Sequence, residues 1–298
     1  MLRRAILRDA ANGVWLEFSD PEAVLVARSV QEVAGILERI DGYCRQGGYA
    51  AGYLSYEAAP AMDPAYACCE PGPEVPLAVF GLFSAPVLST EPCFGAEQTA
   101  GTEASWQIQE SYPEYARKIG WIRQDLGAGN LYQVNYTLRL LGDSVASSDL
   151  FERIVRSAPY GAYLELEGAE VVSGSPELFF RLDDDRLESA PMKGTVARGP
   201  TTEDDARRRR WLQQSAKNRA ENLMITDMVR NDMGRIARTG SVRAESVFEV
   251  QPLHTVWQMT STVQGTVRED VGPFGLLAAT FPPGSMTGAP KVEACHVL

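Results

Sequence analysis

Strand-like runs at 162–166, 170–173 and 177–182 follow one another with only short turns between them. Parallel neighbours need a crossover of a dozen or more residues, so runs spaced this closely pair antiparallel. Further strand patterns stand at 24–27, 49–56, 77–83, 132–141, 241–250 and 256–267. Helical spacing marks 30–40, 112–126, 149–157, 203–216, 218–231 and 273–280, with a last helix starting near Ala289. Mixed elements with antiparallel neighbours predict an α+β fold, not a doubly wound sheet. Residues 85–105 carry Pro, Ser, Thr and Gly with little pattern and read as a linker or surface loop. The chain is therefore read as an N-terminal subdomain with linker, 1–105, and a second region, 106–298. There is no internal repeat.

At 298 residues the chain can bury a sizeable core. A net charge of −11 excludes nucleic acid as the expected partner, since that needs clustered Lys and Arg. The one basic run, Arg207 to Arg210, follows Glu203, Asp204 and Asp205 on a predicted helix and reads as a face of paired charges. Five cysteines (Cys44, Cys68, Cys69, Cys93 and Cys295) form no C-x-x-C pair, and only two histidines are present, so neither a disulfide framework nor a zinc site is expected. No apolar stretch approaches the roughly 18 residues of a membrane span. These features predict free thiols, no membrane association and a cytoplasmic protein.

Three stretches could carry chemistry. The hairpin pattern over 176–195 turns at Asp183-Asp184-Asp185, and folding it about Asp185 sets Glu177 opposite Lys193. That pair is either a cross-strand ion pair worth at most about 1 kcal/mol or a reactive amine beside a carboxylate. A slip of one residue would put the two on opposite faces. On the helix 218–231, Glu221 shares a face with Met224, Ile225 and Met228. It is either an exposed residue at the stripe's edge or an oxygen ligand for a hard cation such as Mg²⁺. Phe281 to Lys291 is a Gly-rich turn entering a helix, suited to an anion or simply to a turn. It is not a P-loop, because Val292 follows the lysine where Ser or Thr is required.

Taken together, Ser175-Pro-Glu-Leu-Phe179, Pro191-Met-Lys-Gly-Thr195, Arg219-Ala-Glu-Asn-Leu-Met-Ile-Thr-Asp227, Arg230-Asn-Asp-Met-Gly-Arg235 and Gly284-Ser-Met-Thr-Gly-Ala-Pro-Lys291 resemble the chorismate-utilising enzymes. That family includes anthranilate synthase component I and the aminodeoxychorismate, isochorismate and salicylate synthases. The five motifs stand in the family's order and span most of 110–298. Ala50 to Ala59 and Tyr132-Gln-Val-Asn135 are similar to the aminodeoxychorismate branch. The resemblance implies a sandwich of two large antiparallel sheets with helices outside, like anthranilate synthase component I, and makes 106–298 a chorismate-binding catalytic region. It also implies amination of chorismate to 4-amino-4-deoxychorismate, towards p-aminobenzoate and folate.

By the same resemblance Lys193 is the covalent nucleophile, a position where anthranilate synthases usually carry Ala. Glu177 is then a proton donor or acceptor, Glu221 a carboxylate for Mg²⁺, and Gly194, Thr195, Thr287, Gly288 and Ala289 substrate contacts. A glutamine amidotransferase subunit would supply ammonia, since no cysteine here sits in a nucleophile-elbow setting. The chain departs from the pattern at Gln258, where many relatives carry His. It also has no Leu-Leu-Glu-Ser motif for tryptophan feedback. It ends at Leu298, before the family's C-terminal portion, with its Tyr and Arg substrate contacts and remaining Mg²⁺ carboxylates. The rival expectations are anthranilate synthase component I and a non-catalytic chorismate-binding fragment.

Overall fold

The computed structural model describes residues 1–69, 72, 75–92, 105–142, 146–156 and 158–298. The chain forms two compact units, one of Met1–Gly174 with Met286–Leu298, the other of Ser175–Ser285. The break expected at 105/106 lies within the first unit, beside residues 93–104, which are outside the described residues.

The first unit is built on strands that sequence pattern did not single out. Leu2–Asp9 and Val14–Ser19 form a hairpin, with the Asp9 carboxylate accepting the Ala11 and Asn12 N–H groups in the turn. Leu2–Asp9 is central in a five-stranded sheet, ordered Ala169–Ser175, Tyr160–Leu166, Leu2–Asp9, Val14–Ser19, Val87–Ser89. Its buried side chains, Leu2, Ala5 and Ile6, follow no strict alternation, which hides the strand from a period-two reading. Part of the stretch read as linker is thus an edge strand, Val87–Ser89 on Trp15–Glu17.

A second sheet orders Ala23–Ala27, Ala78–Phe83 and Tyr49–Leu54. The helix Val30–Cys44 contributes its buried residues Val33, Ile36, Leu37 and Ile40. Leu2, Ala5 and Phe18 pack with Ala51, Val79 and Phe83 in one core. The backbone comes very close at Gly52, where a Cβ would meet the Val79 carbonyl at 1.9 Å. The run 132–141 was expected as one strand and is two short pieces. Gln133–Val134 pairs with Gly288–Ala289, and Leu140–Gly142 pairs with Trp106–Ile108. Between them the Asn135 N–H donates to the Thr287 carbonyl, so that group is satisfied without one continuous ladder.

The second unit is a five-stranded sheet around Val256–Thr266. On one edge lies Arg243–Pro252; on the other lie Arg186–Ala190 and Met192–Ala197, end to end. Pro191 separates these two, and its carbonyl still accepts the Ser261 N–H. Leu178–Asp183 completes the sheet. The helices are Thr202–Gln214, Ala216–Gly234 and Pro273–Thr280, close to the sequence expectation. Leu187, Met233, Val263 and Leu276 form the core beneath them.

The basic run does more than line a solvated face. Arg207 pairs with Asp204, but Arg208 donates to the carbonyls of Ala197 and Arg198, and the Arg209 guanidinium lies over the Trp257 ring. Arg198 and Asp205 pair in two places, and Asp205 also accepts from the Gly199 N–H and the Trp257 indole. This clamp joins the end of the Lys193 strand to the helix that follows.

Among the described residues no helix is long and apolar enough to cross a membrane. The described cysteines, Cys44, Cys68, Cys69 and Cys295, are free thiols.

Candidate active site

Lys193 stands on Met192–Ala197, one residue after that strand begins. Glu177 precedes Leu178–Asp183, in a turn clasped by Ser175. The Glu177 N–H donates to the Ser175 hydroxyl at 3.1 Å, and that hydroxyl donates to the Glu177 carbonyl at 3.0 Å. The hairpin between them is not in the expected register. Its turn sets Asp183 opposite Arg186, and a register shift further along sets Leu178 opposite Ala190. Glu177 is therefore not directly across from Lys193. The irregularity nonetheless leaves the Glu177 carboxylate accepting the Met192 N–H, where it also senses the Lys193 charge. A bulge re-aims a side chain in a way that simple alternation cannot anticipate.

The electrostatics push both groups towards neutrality. Burial lowers the Lys193 pKa, against the charges of Glu177 and Glu221, which raise it. Burial raises the Glu177 pKa, against the Ser285 hydroxyl, the Met192 N–H and the Lys193 charge. Desolvation disfavours whichever form is charged, so one buried setting shifts an amine and a carboxyl in opposite directions. The Lys193 Nζ donates to the Ser285 carbonyl at 2.9 Å. A cavity of about 20 Å³ lies against Glu177 and is lined also by Ser189, Asp232, Thr280 and Ser285. That is room for one water.

Gly194 has φ +99, and a Cβ there would meet the Asn218 Cβ at 3.0 Å and the Leu212 Cδ1 at 3.2 Å. A residue with a side chain is strained in this conformation, so glycine is needed directly after the lysine. Thr195 faces Gln258 across the ladder, and its hydroxyl donates to Gln258 Oε1 at 2.8 Å. The position where relatives carry His is thus a hydrogen-bonded neighbour of the lysine's strand.

Beneath the strand runs a buried network that sequence reasoning missed. Asn222 Nδ2 donates to the carbonyls of Met259 at 3.2 Å and Lys193 at 3.4 Å, while Asn222 Oδ1 accepts from the Ser261 hydroxyl. Ser261 in turn accepts the N–H of Phe248, which has a positive φ of 61. The signal was present in the sequence: Asn222 shares the buried helix face with Ile225, Thr226 and Met233. An amide on such a face must find partners.

Glu221 lies at the edge of that face, with its side chain 39% exposed and 3.8 Å from Lys217. Among the described residues no group of three His, Cys, Asp or Glu is disposed to hold a metal ion. They therefore do not form a complete protein cage for Mg²⁺. Glu221 can serve as one carboxylate for an ion that commonly takes one or two from the protein and keeps several waters. Thr287, Gly288 and Ala289 belong to the first unit. Thr287 and Ala289 are buried, and their carbonyls accept from Asn135 and Tyr132. A Cβ on Gly288 would meet the Gln133 carbonyl at 2.2 Å.

A lysine and a glutamate whose charges burial disfavours thus stand together on an α+β frame. Residues 4–298 match the model of the chorismate binding enzymes, and the chain belongs to that family. It is 40% identical over 212 residues to the aminodeoxychorismate synthase of Streptomyces griseus, covering 70% of this chain and 29% of that protein. It is 36% identical over 210 residues to aminodeoxychorismate synthase component 1 of Escherichia coli K12, covering 69% of this chain and 46% of that one. Each match therefore spans less than half of the relative's length. The crystal structure of anthranilate synthase component I from Streptococcus pneumoniae shares the α+β fold, with a TM-score of 0.81 at 17% identity, covering 99% of this chain and 76% of that one.

Proposed function

We propose that this chain carries the chorismate-handling part of an aminodeoxychorismate synthase and forms 4-amino-4-deoxychorismate from chorismate and ammonia, towards p-aminobenzoate. The observation that carries this reading is the half-buried amine of Lys193, held by the Ser285 carbonyl at 2.9 Å and with its pKa lowered by desolvation, beside a half-buried Glu177 whose pKa desolvation raises. A free lysine is protonated at neutral pH, and only the neutral amine is a nucleophile.

In this reading the Lys193 amine adds to C2 of chorismate as the C4–O bond breaks. The ring double bonds shift between those positions, and the hydroxyl leaves as water with a proton from Glu177. Ammonia then forms a bond to C4 while the C2–Nζ bond breaks, and Glu177 takes up a proton released from the incoming amine. Each difficult substitution is divided into easier steps. A Glu177 that cycles between acid and base avoids a permanent ion pair, which would hold Lys193 protonated.

Gly194 and Thr195, on the strand that carries Lys193, are the proposed substrate contacts of the second unit; Thr287, Gly288 and Ala289, proposed as contacts by family resemblance, stand in the first unit. Glu221 would hold Mg²⁺ as one of its ligands, and the ion would supply positive charge to a substrate carboxylate. A glutamine amidotransferase subunit is the proposed source of ammonia.

The test is incubation with chorismate, Mg²⁺ and ammonium at high pH, with products and protein adducts followed by mass. The proposal requires 4-amino-4-deoxychorismate from the wild type and its loss, by orders of magnitude in rate, in Lys193→Ala. Full activity in Lys193→Ala would overturn the covalent role.

A further inference from the structure

Ser285 sits in the Gly-rich turn at the end of the second unit and touches both groups of the proposed chemistry. It is 9% exposed. Its backbone carbonyl accepts from the Lys193 Nζ at 2.9 Å. It lines the small cavity together with Glu177, and its hydroxyl acts there as a donor that lowers the Glu177 pKa. The two grips are chemically separable. A carbonyl is present whatever residue stands here, whereas a donor this close to the backbone requires a short hydroxyl side chain. The preceding Gly284 lets the turn close down on the helix Ala216–Gly234, since a Cβ there would meet the Met228 Cε at 2.2 Å.

We propose that Ser285 is a positioning residue that holds Lys193 and Glu177 in one fixed arrangement, the amine by its carbonyl and the carboxyl by its hydroxyl. This deepens the reading above and rests on it for the roles of the two groups. Neither group can then swing to pair permanently with the other, and each keeps a partner as protons move. The charged groups facing the pair are Glu221, which acts on Lys193, and Asp232, which lines the cavity beside Glu177.

The consequence is a split between the two grips. In Ser285→Ala the carbonyl still holds Lys193, and Glu177 loses a donor that favours its ionised form. The experiment is a pH titration of the whole chain labelled with ¹³C at glutamate carboxyls, with Glu177→Gln assigning the resonance. The Glu177 midpoint is expected to move up by about one pH unit in Ser285→Ala, as for the loss of one hydrogen bond to a charged group. It should return to the wild-type value in Ser285→Thr.

In parallel, Lys193 modification by trinitrobenzenesulfonate, read by peptide mass, should be faster in Ser285→Ala in the pH window between the two Glu177 midpoints, because there the variant's carboxyl is more protonated and less negative charge faces the amine, and the difference should vanish well above both. Ser285→Cys preserves the volume with only a weak donor and carries the same expectation, should the alanine variant not fold. A Glu177 titration unmoved in the folded Ala or Cys variant would overturn the proposal. No substrate is needed, so failure of chorismate turnover would sink the proposed function without touching this result.

Discussion

The buried amide of Asn222 offers the sharpest test of how the site is held. Replacing Asn222 by Ala removes a donor to the Met259 carbonyl at 3.2 Å and a longer one to the Lys193 carbonyl at 3.4 Å, and takes away the acceptor of the Ser261 hydroxyl. The residue is 1% exposed, so water cannot readily replace these partners. Each buried group left unsatisfied costs about 1–3 kcal/mol. The 3.4 Å contact lies outside the normal hydrogen-bond range and adds little. Two effective losses therefore amount to about 3 kcal/mol.

Native-state hydrogen exchange of the central strand Val256–Thr266 reads this quantity in the second unit alone. The opening free energy of its protected amides should fall by about 3 kcal/mol in Asn222→Ala. Asn222→Asp keeps the size and the Ser261 acceptor but turns a buried carboxylate oxygen towards two carbonyls, and should be at least as damaging. A fall below about 1 kcal/mol in both variants would refute the claim that the donated hydrogen bonds hold helix to strand.

Other outcomes follow from single residues. Gly194→Ala meets both a positive φ and the Asn218 and Leu212 side chains, and should cost about 2 kcal/mol in urea unfolding and lower any activity through Lys193. The Arg198 guanidinium, ahead of the Gly199 N–H and the Trp257 indole, holds the Asp205 carboxyl well below the usual carboxylate range. A depressed folded-state pKa gives stability that is present above about pH 4, the unfolded carboxylate's value, and is lost as pH falls through the folded one. The thermal stability gap between wild type and Asp205→Asn should therefore be full at neutral pH and shrink with acidification, and a constant gap would refute the pairing. Burial pushes the Cys68 thiol up to about 12, while its neighbour Cys69 is exposed. Iodoacetamide at pH 8 should label Cys69 much faster than Cys68 by peptide mass, and equal rates would contradict this.

The helices were legible because their signals are local. The apolar spacing of Val33, Ile36, Leu37 and Ile40 lies within a few turns of chain. The strands Leu2–Asp9 and Val14–Ser19 were missed because central burial breaks their alternation. The run 132–141 was overread because alternation does not say whether a partner runs alongside.

For the candidate site, the residue types and their order in the chain came from the sequence alone: a lysine followed by glycine, two glutamates and a Gly-rich turn, together specific enough to point to a family. Only the tertiary structure decided the shifted hairpin register that brings the Glu177 carboxylate to the Met192 N–H, and the burial that pushes Lys193 and Glu177 towards neutrality. The same is true of the Asn222 network and of the two contacts made by Ser285. The physical reason is that desolvation and hydrogen-bond partnership depend on chain segments remote in sequence. Lys193 and Ser285 are 92 residues apart, and no local pattern carries information about their meeting.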